Sequence, residues 1–115
     1  MSLDASHLEK AAQAQLDAYN AQDLDAHCAL FTDDVIVAGF NGDITRQGLD
    51  AYRAAYETVF ADFPGNQAKL LNRIVVGQTV IDHEHVDRGN GEPPFQVAAL
   101  YTFRGDKIAR VDFVR

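Results

Sequence analysis

Two histidines, His83 and His85, stand one residue apart in the stretch VIDHEHVD, which covers residues 80–87. The acidic residues Asp82, Glu84 and Asp87 surround them. The pKa of a free histidine is about 6.5, so a neutral imidazole can accept or donate a proton near pH 7. The stretch therefore points to acid–base chemistry, provided that a strand turns these two rings toward a cavity.

The same spacing permits a metal site as an alternative. Residues i and i+2 of a strand share a face and lie about 7 Å apart at the backbone, so two imidazoles could converge on zinc. A third ligand is needed, and His27 and Asp87 are the candidates. Because the spacing fixes neither of them, we predict no metal and no cofactor.

A purely structural role is the simplest alternative for all these side chains. The two histidines could satisfy buried hydrogen bonds in an unused cavity, since polar pocket residues indicate function only statistically. Packing is the default role of Tyr52, Tyr56 and Tyr101. Cys28 is expected to be a small buried apolar residue.

The overall composition indicates one acidic globular domain over residues 1–115. Hydrophobic residues make up 47% of the chain and the net charge is −7. An acidic surface repels phosphate groups, so no nucleic-acid or membrane partner is predicted. A single cysteine, the lack of a signal-peptide pattern and the lack of a long apolar run predict a cytoplasmic protein.

Three helices are predicted in the N-terminal half. Ser6 and Glu9 have capping-box spacing, and Asp23 can cap a short second helix. Pro64 stops the third helix, which has the clearest apolar spacing. The predicted ranges are about 6–20, 24–31 and 49–63.

Strand-like runs make up most of the remaining chain. DDVIVAGF precedes the third helix, and AKLLNRIVV, TVIDHEHVD, FQVAALYTF and KIARVDFV follow it. Gly77-Gln78 and Gly105-Asp106 are typical of two-residue hairpin turns. The order predicts an α+β domain in which three N-terminal helices pack in a strongly curved antiparallel sheet.

Three segments carry a resemblance to a known family: YNAQDLDAHCALFTDDVIV, RQGLDAYRAAYETVF and YTFRGDKIARVDFV. From about Leu8 to Val114 the chain resembles the nuclear transport factor 2-like superfamily, in its SnoaL-like and ketosteroid-isomerase-like branch. The resemblance implies a cone-shaped half-barrel around a deep, mostly apolar cavity, and a homodimer. Isomerases, dehydratases, epoxide hydrolases, cyclases and non-catalytic proteins share this fold, so the fold alone does not imply a reaction.

The resemblance also tests one reaction directly. Ketosteroid isomerases use an aspartate base, with a tyrosine and a protonated aspartate holding the developing oxyanion. Aligned by helix and strand landmarks, the tyrosine position falls on Gln15, the base position on Gly39 and the second aspartate position on Ala99. Because all three identities are missing, the standard isomerase chemistry is not expected.

The resemblance also gives a family register, that is, an alignment of the strands with those of the family, and this register predicts which side chains of each strand face the cavity. It places His83 and His85 toward the cavity, with Asp82 and Glu84 outward. By the same register Phe103 and Val111 also point inward.

The predicted cavity suits a small lipophilic molecule that carries one or two hydrogen-bonding oxygens. His83 and His85 would exchange protons and Tyr101 would orient the substrate in an isomerisation or dehydration. Substrate contacts are predicted at Gln15, His27, Phe31, Tyr56, Val97, Ala99 and Phe113. The alternatives are a non-catalytic ligand-binding module and a dimeric interaction domain that uses the outer sheet face around VDFVR and LYTFRG.

Overall fold

The computed structural model describes residues 3–115, so residues 1 and 2 of the predicted domain lie outside it. Three helices pack against a strongly curved six-stranded sheet, which confirms the predicted α+β class. The elements are α1 (Ala5–Asn20), α2 (Leu24–Cys28), β1 (Phe31–Gly39), β2 (Ile44–Gln47), α3 (Leu49–Asp62), β3 (Gln67–Val76), β4 (Thr79–Asp87), β5 (Phe95–Arg104) and β6 (Lys107–Val114). Within residues 3–115, no helix is long and apolar enough to cross a membrane.

Aspartate side chains cap the first two helices. The Asp4 carboxylate accepts a hydrogen bond from the His7 backbone N–H at 3.0 Å and so begins α1. The predicted capping box is wrong, because Ser6 and Glu9 lie within the helix. Asp23 caps α2 as predicted, which satisfies a backbone N–H of its first turn.

The second helix is shorter than predicted. It ends at Cys28, and Phe31 opens β1 instead of closing the helix. The cause is pairing with β6, since the Ile108 backbone N–H donates to the Leu30 carbonyl at 2.8 Å.

The strand order across the sheet is β2-β1-β6-β5-β4-β3. Strands β3 to β6 form the predicted antiparallel meander with both predicted two-residue turns. Strands β1 and β6 run parallel, which makes the sheet mixed. The short edge strand β2 was not predicted, although Asn41-Gly42 before it is a hairpin-turn signal.

The inner face of β4 is opposite to the one predicted. Its buried residues are Val80, Asp82, Glu84 and Val86. His83 and His85 are half-exposed on the outer face of the sheet. The predicted inward orientation of the two histidines is therefore wrong, and so is the outward orientation of the two acids.

Strand pairing explains this orientation. Residues directly opposite each other on paired strands point to the same face. Glu84 pairs with Val97 and Asp82 pairs with Ala99. Since Val97 and Ala99 point inward on β5, their partners on β4 must point inward as well.

Candidate active site

A cavity of about 190 Å³ lies between the helices and the inner face of the sheet. Cavities for drug-sized ligands measure roughly 300–1,000 Å³, so this one suits a small molecule. Its wall is largely apolar and aromatic. The buried and half-buried polar residues in it are Gln15, Tyr19, His27, Tyr52, Tyr56, Glu84, Arg88 and Tyr101.

Glu84 is the one carboxylate in this wall among residues 3–115. Its side chain projects from β4, its residue is 6% exposed, and its Oε2 atom is buried with no hydrogen-bond partner in the described chain. Burial, and then the negative charge of Asp82, raise the pKa of Glu84 to about 7. Near neutral pH this group is therefore ready both to accept and to donate a proton.

Asp82 precedes Glu84 on the same buried face but is fully paired. Both of its oxygens accept from Arg73 on β3, at 2.7 Å and 2.9 Å. The Arg73 guanidinium also donates to Gln13 on α1 at 3.0 Å. One guanidinium therefore neutralises one of two neighbouring buried acids and leaves Glu84 unpaired.

The raised pKa of Glu84 predicts a measurable pH dependence of stability. Between its reference pKa of 4.5 and its folded pKa of about 7, the folded protein binds more protons than the unfolded chain. The stabilisation from protonated Glu84 is complete below pH 4.5 and is lost as the pH rises through 7. Relative to wild type, the free energy of unfolding of Glu84→Gln should thus rise by about 3 kcal/mol from pH 4.5 to pH 8.

Urea unfolding at the two pH values measures this shift. His27 has a pKa that burial lowers to about 4, so it contributes the opposite pH trend. That trend is common to both proteins and cancels in the comparison. A variant whose stability differs from wild type equally at pH 4.5 and pH 8 would contradict the raised pKa.

A chain of buried hydrogen bonds holds the deep end of the cavity. The Tyr52 hydroxyl donates to His27 Nε2 at 2.8 Å, and His27 Nδ1–H donates to the Gln15 carbonyl at 2.9 Å. The Gln15 side-chain amide then donates to the Tyr101 hydroxyl oxygen at 3.1 Å. This is the one side-chain hydrogen bond of Tyr101 within residues 3–115, so its own O–H is left to donate to a ligand.

Two further tyrosines complete the aromatic wall. The Tyr19 hydroxyl accepts from the Asn66 amide at 2.6 Å, and the Tyr19 and Tyr56 rings pack edge-to-face with their centres 6.0 Å apart. Burial raises the pKa of Tyr56 to about 12 and also raises the pKa of Tyr19. Both phenols are therefore protonated at pH 7 and act as hydrogen-bond donors rather than as bases.

The sequence model of the SnoaL-like domain family matches residues 12–111. The chain belongs to the SnoaL-like family. This confirms the resemblance inferred from the sequence, and no curated protein matches the chain.

Solved structures with the same fold include a close relative of this SnoaL-like protein. An uncharacterised cystatin-fold protein from Novosphingobium aromaticivorans is 41% identical, with a TM-score of 0.86 over 100% of this chain and 99% of that one. A candidate polyketide cyclase from Sinorhizobium meliloti is 20% identical, with a TM-score of 0.81 over 97% and 100%. A candidate ketosteroid isomerase from Kribbella flavida is 14% identical, with a TM-score of 0.79 over 94% and 76%. At these two lower identities the likeness shows the fold alone.

Most residues predicted to contact a ligand in this SnoaL-like fold do line the cavity. They are Gln15, His27, Tyr56, Val97, Tyr101 and Phe113. Phe31 and Ala99 do not: both are fully buried in the core that joins the helices to the sheet. The structure thus places neither residue in the cavity wall, which differs from the ligand contacts expected for them.

The outer sheet face of the SnoaL-like chain holds the two histidines. His83 hydrogen-bonds through Nε2 to Gln96 at 2.6 Å and through Nδ1 to Asn72 at 3.3 Å. No group of three metal-ligating side chains occurs in the part of the chain that the structure describes. His27, one proposed third ligand, lies on the opposite side of the sheet in the cavity wall.

Because of this position, His83→Ala and His85→Ala are expected to leave ligand binding in the cavity unchanged. Surface substitutions of this kind alter the free energy of unfolding by about 0.5 kcal/mol or less. Thermal unfolding with and without a bound probe measures both quantities. Loss of binding in either variant at unchanged stability would show that the histidine takes part in ligand binding.

Sequence reasoning missed Glu84, Tyr19 and Arg88 as cavity residues. The local signal for Glu84 is weak: Val80 and Val86 lie on its strand face, but Ile81 lies on the other. The outer face also carries exposed apolar side chains, at Ile74, Val76 and Val114. The homodimer expected from the family stays a prediction.

Proposed function

We propose that this SnoaL-like protein transfers a proton on a small, mostly apolar molecule that carries a carbonyl oxygen. Glu84 is the acid–base group and Tyr101 is the hydrogen-bond donor to the oxygen. One observation carries the proposal: an unpaired carboxylate with a pKa near 7 lies in the wall of the cavity. General acid–base catalysis is most efficient when the pKa lies near the working pH.

The reaction begins when the Glu84 carboxylate removes a proton from a carbon next to the carbonyl. The electron pair of that C–H bond moves toward the carbonyl oxygen, where negative charge develops. A hydrogen bond from Tyr101 stabilises this charge more strongly than in water because the site is buried. Glu84 then returns the proton to another carbon, which isomerises the molecule, or gives it to a β-hydroxyl, whose C–O bond breaks so that water leaves and the molecule is dehydrated.

The placement of the two groups suits a molecule that lies between them. Glu84 sits opposite Val97, and Tyr101 sits opposite Val80, so the two are four positions apart along paired strands. Both side chains line the cavity, and burial, followed by the charge of Glu84, raises the pKa of Tyr101. The phenol is thus neutral at pH 7: its oxygen accepts from Gln15, and its O–H is left to donate to the ligand.

This arrangement differs from the ketosteroid isomerase pattern tested on the sequence. Gly39 has no side chain to act as a base, and Ala99 is buried without any polar group. The proposed base is instead on β4, and the donor is Tyr101, which Gln15 positions. The expected chemistry is of the same class, but its carboxylate approaches the ligand from a different strand.

Deuterium exchange tests the proposal without knowledge of the natural substrate. Small cyclic ketones and β-hydroxy ketones are incubated with the protein in D₂O, and NMR follows loss of the C–H signal next to the carbonyl. The protein-dependent rate should rise with pH and level off above about pH 7, as Glu84 becomes ionised. Ketones that stabilise the protein without any exchange would indicate a binding module instead.

A further inference from the structure

Three arginines line the mouth of the cavity: Arg46, Arg88 and Arg115. Their clustering is notable in a chain with a net charge of −7. Within residues 3–115, none of the three has a carboxylate within salt-bridge distance. The other four arginines do pair with aspartates, namely Arg53, Arg73, Arg104 and Arg110. The positive charge at the mouth is therefore left available to a ligand.

Arg88 is held in place before any ligand arrives. Its guanidinium lies 5.0 Å from the ring centre of Phe63 and 5.2 Å from that of Phe95. One of its N–H groups donates to the Asn66 side-chain oxygen at 3.0 Å, and Asn66 is fully buried. A guanidinium has five N–H donors, so this support leaves several of them free. A fixed fork of donors loses little conformational entropy when it binds an anion.

Arg115 reaches the same end of the sheet from β6. Its guanidinium lies 5.3 Å from the ring centre of Phe113, which lines the cavity. Since Val114 pairs with Ala98, the chain after β6 runs beside Val97, the partner of Glu84. Strand β4 ends at Asp87, one residue before Arg88, so both arginines lie at the end of the sheet nearer to Glu84 than to Tyr101.

We propose that the ligand of this cavity carries a carboxylate, which binds Arg88 and Arg115 at the mouth while the apolar remainder enters beside Glu84. This rests on the proposed function, because it places the reacting carbon at Glu84 and the carbonyl oxygen deeper, at Tyr101. Guanidinium groups bind carboxylates through paired, charge-assisted hydrogen bonds. The substrate class is then a small oxo acid.

The charge distribution at the mouth argues against a cationic or a neutral ligand. A cationic ligand could stack on the tyrosines, but it would have to pass three unpaired guanidinium groups. A neutral ligand would leave these groups without a partner. An anion at the mouth is favoured by all three charges and is separated from the Glu84 carboxylate by the depth of the cavity.

Three probes of one shape test the proposal: 4-fluorobenzoate, 4-fluorobenzamide and 4-fluorobenzamidine, which are anionic, neutral and cationic at pH 7.5. Fluorine NMR titration of the protein gives the Kd of each. The benzoate should bind at least about tenfold more tightly than the amide, because hydrogen bonds between charged groups are stronger than those of a neutral amide. The amidine should bind most weakly, because its positive charge is repelled by the arginines. Equal binding of the amide or amidine, or no saturable binding of the benzoate, would overturn the proposal.

Arginine variants test which residues cause the preference for the benzoate. Arg88→Gln should weaken benzoate binding at least about tenfold and leave amide binding unchanged. Arg104→Gln removes the same charge from an exposed pair outside the cavity and serves as the control. Arg115→Gln provides a second test if loss of Arg88 impairs folding. A benzoate preference that survives both cavity variants, or that Arg104→Gln removes equally, contradicts the assignment.

The probes have no exchangeable C–H next to a carbonyl, so this result is independent of catalysis. If Glu84→Gln retains ketone exchange while the carboxylate preference persists, the proposed function fails and the anion site stands. If exchange depends on Glu84 but the benzoate shows no preference, only the carboxylate assignment fails.

Discussion

Glu84→Gln is expected to lower the protein-catalysed rate of ketone exchange by about 100-fold to 10,000-fold, the usual contribution of a general acid–base group. Glutamine keeps the length and shape of the side chain but cannot accept a proton. The cavity should therefore keep its volume and its aromatic wall. The rate is measured by the loss of the C–H signal in D₂O, at a pH above 7 where wild-type Glu84 is ionised.

The matched control for this prediction is Glu57→Gln. Glu57 is exposed on α3, beside the cavity-lining Tyr56 but on the outer side of the helix. The same change of charge there should leave the exchange rate near that of wild type. A rate in Glu84→Gln within a few-fold of wild type, with the fold and probe binding intact, would mean that another group removes the proton.

The meander of β3 to β6 could be predicted from the sequence because its signals are local. Gly77 and Gly105 adopt positive φ angles of 58° and 65°, which glycine accepts without strain. Each stands between two runs of strand-forming residues, so the turn and the length of both strands follow together. Helix α3 could also be predicted from local signals, because its apolar stripe ends just before Pro64.

The inner face of β4 could not be predicted with the same certainty, because its apolar residues do not settle it. Ile81 lies on one face, while Val80 and Val86 lie on the other together with the two acids. The inward assignment of the histidines therefore depends on the family register alone, and the structure contradicts it because Asp82 and Glu84 lie on the buried face. Asp82 is tolerated there only because Arg73 on the neighbouring strand pairs with it.

The unpaired state of Glu84 depends on the same long-range contact. The buried face holds two acids but one guanidinium, and Arg73 binds both oxygens of Asp82, which leaves Glu84 without a partner. Local periodicity contains no information about which acid is paired. The choice of Glu84 as the proposed base therefore depends on contacts between strands that the sequence does not reveal. In contrast, the family resemblance predicts Gln15 and Tyr101 at the cavity, where the two are hydrogen-bonded to each other.

Arg73→Met is expected to destabilise the protein by about 3–5 kcal/mol at pH 8, because it leaves the fully buried Asp82 carboxylate without a partner. Methionine retains part of the aliphatic stem but none of the three hydrogen bonds to Asp82 and Gln13. Arg104→Met is the control: it breaks an exposed pair with Asp34 and should cost about 1 kcal/mol or less. Urea unfolding measures both.

Arg73→Met should also change the pKa of Glu84, the proposed base. The charge of Arg73 lowers the pKa of Glu84, against the larger effects of burial and of Asp82. Without that charge the pKa of Glu84 should rise further, so the pH profile of ketone exchange in any folded Arg73→Met protein should move to higher pH. An unchanged profile, or a loss of stability no larger than that of Arg104→Met, would show that Arg73 does not control this pair of acids.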